Sequence, residues 1–117
     1  MSAFPASELH LLLDAAGALI VFQEEGTSWA GILGFSSEER ARRFVATSHL
    51  EVAEIATIDP VDPEQVASLI NAAKRRALRY LLLDLDWQSG ECRQVEFEGN
   101  AFGAASERRF APRNRRR

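Results

Sequence analysis

Two aspartates, Asp84 and Asp86, end the run Tyr80-Leu81-Leu82-Leu83-Asp84-Leu85-Asp86 and are the residues best placed by type and spacing to do chemistry. Two apart on a strand, they face the same way. Asp59 and Asp62 border the helix that leads into that strand. Carboxylates so arranged can hold Mg²⁺ through one or two oxygens and water. The plainer reading is a solvated polar strand face, because no phosphate-cradling glycine loop accompanies them. Cys92, the only cysteine, is the next candidate. A nucleophile needs a base within hydrogen-bond reach, and spacing places neither His10 nor His49 beside it. Neighbouring carboxylates would also disfavour its thiolate, so Cys92 reads as a small, half-buried residue. A lone cysteine also excludes an internal disulfide and a four-cysteine metal site. His10 and Asp14, four apart, read as a solvated pair on the polar side of a helix. With no nucleophile–base pair and no phosphate motif, the chain is expected to be no enzyme and to carry no cofactor.

The charge distribution bounds the partners. Among 14 basic residues, Arg108, Arg109, Arg113, Arg115, Arg116 and Arg117 cluster at the end, whereas all 17 acidic residues lie at or before Glu107. Residues 1–107 therefore hold eight basic against 17 acidic side chains, a net −9, although the whole chain is only −3. An acidic body repels phosphate, so nucleic acid could be gripped only through the arginine tail. No apolar stretch approaches the ~20 residues needed to span a bilayer, and the N-terminus lacks a signal-peptide pattern. A cytoplasmic protein without membrane contact is the expectation.

Ser7 can cap a first helix over Glu8 to Ala16, with Leu9, Leu12, Leu13 and Ala16 on one face and Gly17 past its end. Ala18 to Gln23 and Trp29 to Phe35, joined by Glu24-Glu25-Gly26-Thr27-Ser28, read as a hairpin. Ser36-Ser37-Glu38-Glu39 opens a second helix as a capping box if Ser36 caps. Its inward stripe is Ala41, Phe44, Val45 and Ser48. Glu38 with Arg42 and Glu39 with Arg43 are favourable i,i+4 pairs, and His49 falls near the end, where the dipole favours a cation. A strand from about Ala53 to Ile58 follows. Asp62, Pro63 and Gln65 then start a third helix, whose stripe is Val66, Leu69, Ile70, Ala73 and Ala77. Its last turns carry Lys74, Arg75, Arg76 and Arg79. A strand fed directly by this helix implies a parallel crossover from an earlier strand.

The final hairpin has a preferred register. A three-residue loop, Gln88-Ser89-Gly90, with Gly90 at positive φ sets Leu81 opposite Phe97, Leu83 opposite Val95 and Asp86 opposite Cys92. The fold expected is α/β (α+β), in the order helix, hairpin, helix, strand, helix, hairpin, with a five-stranded mixed sheet. Residues 1–99 form the domain. Residues 100–117 read as an Ala- and Gly-rich linker and basic tail, from which Phe102 and Phe110 can dock back on the body.

Three blocks carry a family resemblance: Leu19-Ile20-Val21-Phe22, the junction Gly31-Ile32-Leu33-Gly34-Phe35-Ser36-Ser37-Glu38-Glu39-Arg40-Ala41, and Val66 to Leu85. Together the chain resembles the N-terminal domain family of SseB, the enhanced serine sensitivity protein, over about residues 8–98. That resemblance implies a small α/β domain without established catalytic residues. The function expected is a non-enzymatic protein-interaction or accessory domain. Trp29 and Trp87 are the candidate contacts, since aromatics are enriched at interface hot spots, although core packing is the plainer reading of both. Arg113, Arg115, Arg116 and Arg117 are the candidate tail contacts. The alternatives are an acidic immunity or decoy protein for a basic partner, which requires one contiguous acidic face, and a nucleic-acid accessory acting through the tail.

Overall fold

The computed structural model describes residues 4–110. It holds one mixed sheet of seven strands and two helices. The strands are β1 (Leu9–Leu13), β2 (Val21–Gln23), β3 (Ala30–Phe35), β4 (Glu54–Ile58), β5 (Tyr80–Leu83), β6 (Glu91–Glu98) and β7 (Ala101–Arg109), and the helices are α1 (Glu38–Ser48) and α2 (Pro63–Lys74). The main path across the sheet is β4-β1-β3-β5-β6-β7, with β2 paired to β3 beside β1. The coarse α+β class is as expected; the count of five strands and the order opening on a helix are not.

The first helix is instead β1. Leu9 and Leu11 point to one face of the sheet and Leu12 to the other, and all three are buried. A strand covered on both faces is apolar throughout, so its leucines also satisfy a helical spacing. His10, expected in solvent beside Asp14, is 5% exposed within this strand. The Asp14 side chain accepts the N–H groups of Ala16 and Ala18 and closes the turn after β1.

Two crossovers connect the strands that run one way. The chain passes from β3 through α1 to β4, then from β4 through α2 to β5. The parallel neighbour of β5 is β3, not β4, which pairs antiparallel with β1 at the edge. The helices cover opposite faces: Ala41 and Phe44 of α1 pack with Leu12, Leu33, Phe35 and Leu82, and Leu69 and Ala73 of α2 pack with Leu9, Leu11, Ile32, Leu81 and Leu83. At Gly34 a Cβ would lie 2.8 Å from Leu9 Cδ1 and 2.9 Å from Leu81 Cδ1. The glycine is needed there because leucines from both neighbouring strands close over it.

Local capping chemistry sets the helix starts. Ser37, not Ser36, caps α1 by accepting the Arg40 N–H, and His49 closes the helix at φ 59°. Asp62 caps α2 with Pro63 in its first turn. Gln65 reaches back to the Asp62 carboxylate and accepts the Asp59 N–H. Ala77 leaves the apolar stripe at φ 61°, and Leu78 fills the core in its place.

The last hairpin keeps the expected faces with its register two residues away: Leu81 pairs with Val95 and Leu83 with Arg93. Asp84 turns out of the strand at φ 59°, so β5 stops before the residues that were to extend the pairing. Residues 101–109 are no linker. They form β7 along β6, and Phe110 docks in the core under Gly90, whose N–H partner is Asp86 and whose carbonyl accepts the Phe110 N–H. Between the Val95–Ala105 and Phe97–Phe102 pairs the ladder shifts, with Glu96 opposing both Gly103 and Ala104.

Candidate functional site

β3 and β5 lie side by side and parallel, but the chain leaves them in opposite directions, toward β4 from one and toward β6 from the other. In open α/β sheets such a divergence opens a crevice beyond the carboxyl ends of the strands, where ligands commonly bind. The crevice here has a volume of about 100 Å³ and is lined by Phe35, Arg40, Arg43, Phe44, Asp84 and Trp87, among others. A more open depression of about 430 Å³ adjoins it and shares Arg40, Asp84 and Asp86. The crevice itself is smaller than the few hundred Å³ typical of metabolite pockets.

Asp84 builds the floor of this site. Its Oδ1 accepts the Ser36 N–H and its Oδ2 the Ser36 hydroxyl, each at 2.8 Å, while its own N–H donates to the Gly34 carbonyl at 2.9 Å. The chain thus puts its own carboxylate just ahead of α1, near where a doubly wound sheet seats an anion. Asp86 is exposed, and its Oδ1 accepts the N–H groups of Gln88 at 2.9 Å and Ser89 at 3.2 Å. The two aspartates therefore border one crevice but do not share a strand face, contrary to the sequence expectation. Among the described residues no group of three His, Cys, Asp or Glu side chains is placed to hold a metal.

Arg40 is the polar group left over. It is exposed in the first turn of α1, and its guanidinium has no hydrogen bond or ion pair with any described residue. Its neighbours are paired as the sequence implied, Arg42 with Glu38 and Arg43 with Glu39. The sequence held the signal: the positions four before and four after Arg40 are Ser36 and Phe44, neither of them acidic. Trp87, half-buried, also lines the crevice and meets Phe44 edge-on, with centroids 5.6 Å apart.

The remaining candidates lie elsewhere. Trp29 precedes β3 and so starts from the other end of the parallel pair. It stacks on Tyr80 at 5.2 Å and packs against Phe110, and the Arg108 guanidinium lies 4.5 Å from its centroid. Arg108 also donates to Gln94 and faces Glu24, which fixes the end of β7 to the first hairpin. Cys92 is 6% exposed. Burial, above all, pushes its thiol up to about 11; Arg108 pulls the other way and Glu107 adds to the rise. His10 Nε2 lies 2.8 Å from Glu8 Oε1 and Nδ1 lies 3.0 Å from Thr57 Oγ1. The Thr57 contact ties β1 to the edge strand β4, and His10 stands opposite Phe35, a crevice-lining residue, on the neighbouring strand β3. Arg113, Arg115, Arg116 and Arg117 lie outside the described residues, and no helix among those described is long and apolar enough to cross a membrane. Comparison with known families, with characterised proteins and with solved structures finds no match.

Proposed function

We propose that this chain is a non-enzymatic protein-interaction or accessory domain whose contact site is the strand-end crevice. The observation that carries the reading is that one crevice is lined by the half-buried Trp87 indole and by Arg40, whose guanidinium has no partner among the described residues. Tryptophan and arginine dominate interface hot spots, because each combines a large contact area with a polar handle. The polar groups around them are already engaged in holding the chain: Asp84 with Ser36, Asp86 with its turn. The resemblance to the SseB N-terminal domain family implies the same kind of role. Trp29, stacked inside the Tyr80–Phe110–Arg108 cluster, contributes to packing.

The reading as a decoy for a basic partner draws less support. It needs one contiguous acidic face, whereas five carboxylates, on α1, β6, β7 and the β2–β3 turn, pair with arginines of this chain.

The test is a photo-crosslinking residue placed at Gln88, which lines the crevice, and at Val61, which is 79% exposed and does not line it. A specific adduct is expected at position 88 only, lost in Arg40→Ala at unchanged thermal stability and weakened in Trp87→Phe. Equal adducts at both positions, or adducts indifferent to both substitutions, refute the site.

A further inference from the structure

Resting on that reading, we infer that the crevice takes a carboxylate side chain of a partner segment, with an aromatic or aliphatic neighbour against Trp87. The Arg40 guanidinium sets this demand. Both oxygens of Asp84 are engaged by Ser36, and Oδ1 of Asp86 accepts two backbone N–H groups of its own turn. Arg43 is held by Glu39. Of the two arginines that line the crevice, Arg40 keeps five N–H donors with no acceptor among the described residues. A guanidinium pairs best with a planar anion through two parallel hydrogen bonds. The roughly 100 Å³ of space beside it fits one short side chain rather than a nucleotide or a sugar. Phe35, Phe44 and Trp87 supply the apolar wall on which the neighbouring group rests. The acidic body opposes approach of a strongly acidic ligand, so recognition of a single carboxylate within an otherwise uncharged segment suits this site better than recognition of an acidic run.

The test uses the full chain and two fluorescein-labelled hexapeptides, one carrying phenylalanine followed by glutamate in a serine–glycine background, the other with glutamine for glutamate. Anisotropy titration should show saturable binding of the glutamate peptide at least about tenfold tighter than that of its glutamine twin, as expected for a charge-assisted pair. Arg40→Gln should erase the difference between the peptides. Arg42→Gln, on the same helix but paired with Glu38, should preserve it. Trp87→Ala should weaken both peptides together. Equal binding of the twins by the native chain, no saturable binding of either, or a preference that survives Arg40→Gln overturns the inference. Acetate competing at the same concentration as the peptide also overturns it, by assigning the site to a free small carboxylate. Specific crosslinking at position 88 without a glutamate preference removes the acidic chemistry and leaves the interaction reading standing. Failure of both experiments removes both.

Discussion

Asp84 holds together two segments 48 residues apart in the chain, the end of β3 and the end of β5. Aspartate suits the position twice over, since it tolerates the left-handed conformation and its two oxygens match the two donors of Ser36. Asp84→Ala should cost about 1–3 kcal/mol by leaving those partly buried donors without an acceptor, and Asp84→Asn less, as measured by urea unfolding. Stabilisation of the native chain by millimolar Mg²⁺, lost in Asp84→Asn, would instead revive a metal role. Cys92 gives a pH signature. Its thiol is raised from an ordinary 9.0 to about 11 in the folded chain, chiefly by burial. Below the ordinary value both states keep the proton. Above it the unfolded chain ionises first, so stability falls as pH rises through the interval between the two values. Cys92→Ala should flatten that part of the dependence of the urea midpoint on pH, and parallel curves for the two proteins would contradict the assignment. The residues that carry the proposed contact were only partly legible. Trp87 stood out by type, and the i,i+4 spacing that pairs Arg42 and Arg43 leaves Arg40 out, but only the fold brings Arg40 and Trp87 to one crevice.

At the scale of elements, capping chemistry was the most readable part of the sequence. Asp62-Pro63 marks the start of α2 through short-range hydrogen bonds that depend on little else, whereas the cap of α1 falls on Ser37, one residue after the Ser36 that the sequence suggested. β1 was misread because leucines buried on both faces satisfy two periodicities at once. The two-residue shift in the last hairpin has a local cause, the departure of Asp84 from the strand. β7 was missed because alanine, glycine and serine have weak strand preference; its conformation comes from its pairing with β6. Its core contribution can be checked by truncation. Ending the chain after Gly99 removes Phe102 and Phe110 and should abolish cooperative thermal unfolding. The close packing of β3 makes a second check: Gly34→Ala should destabilise by about 1–3 kcal/mol as the new methyl displaces Leu9 and Leu81.

The whole molecule is a sheet with a helix on each face, so its stability draws on two apolar clusters rather than one. Leu69→Ala opens the α2 side and should cost about 2–5 kcal/mol, while leaving the Trp87–Phe44 contact on the other side in place. Separate layers also explain how the crevice is assembled. Its walls come from α1, from the end of β3 and from the turn after β5, three regions that approach one another only when both crossovers are complete. Spacing along the chain does not show that convergence, which is why the aspartates, rather than Arg40 and Trp87 together, looked like the chemical centre. The irregular step in β7 acts at this scale as well. An edge strand with a straight, unpaired backbone invites another chain to add to it. Opposite Glu96 the extra residue bends the strand and breaks the outward row of donors and acceptors beyond Ala105, and Glu107, Arg108 and Arg109 put charge on the remainder. β7 thus guards the chain against fibrillation: deleting Ala104, which would restore an even ladder, should shorten the lag of thioflavin-T-positive assembly at high concentration.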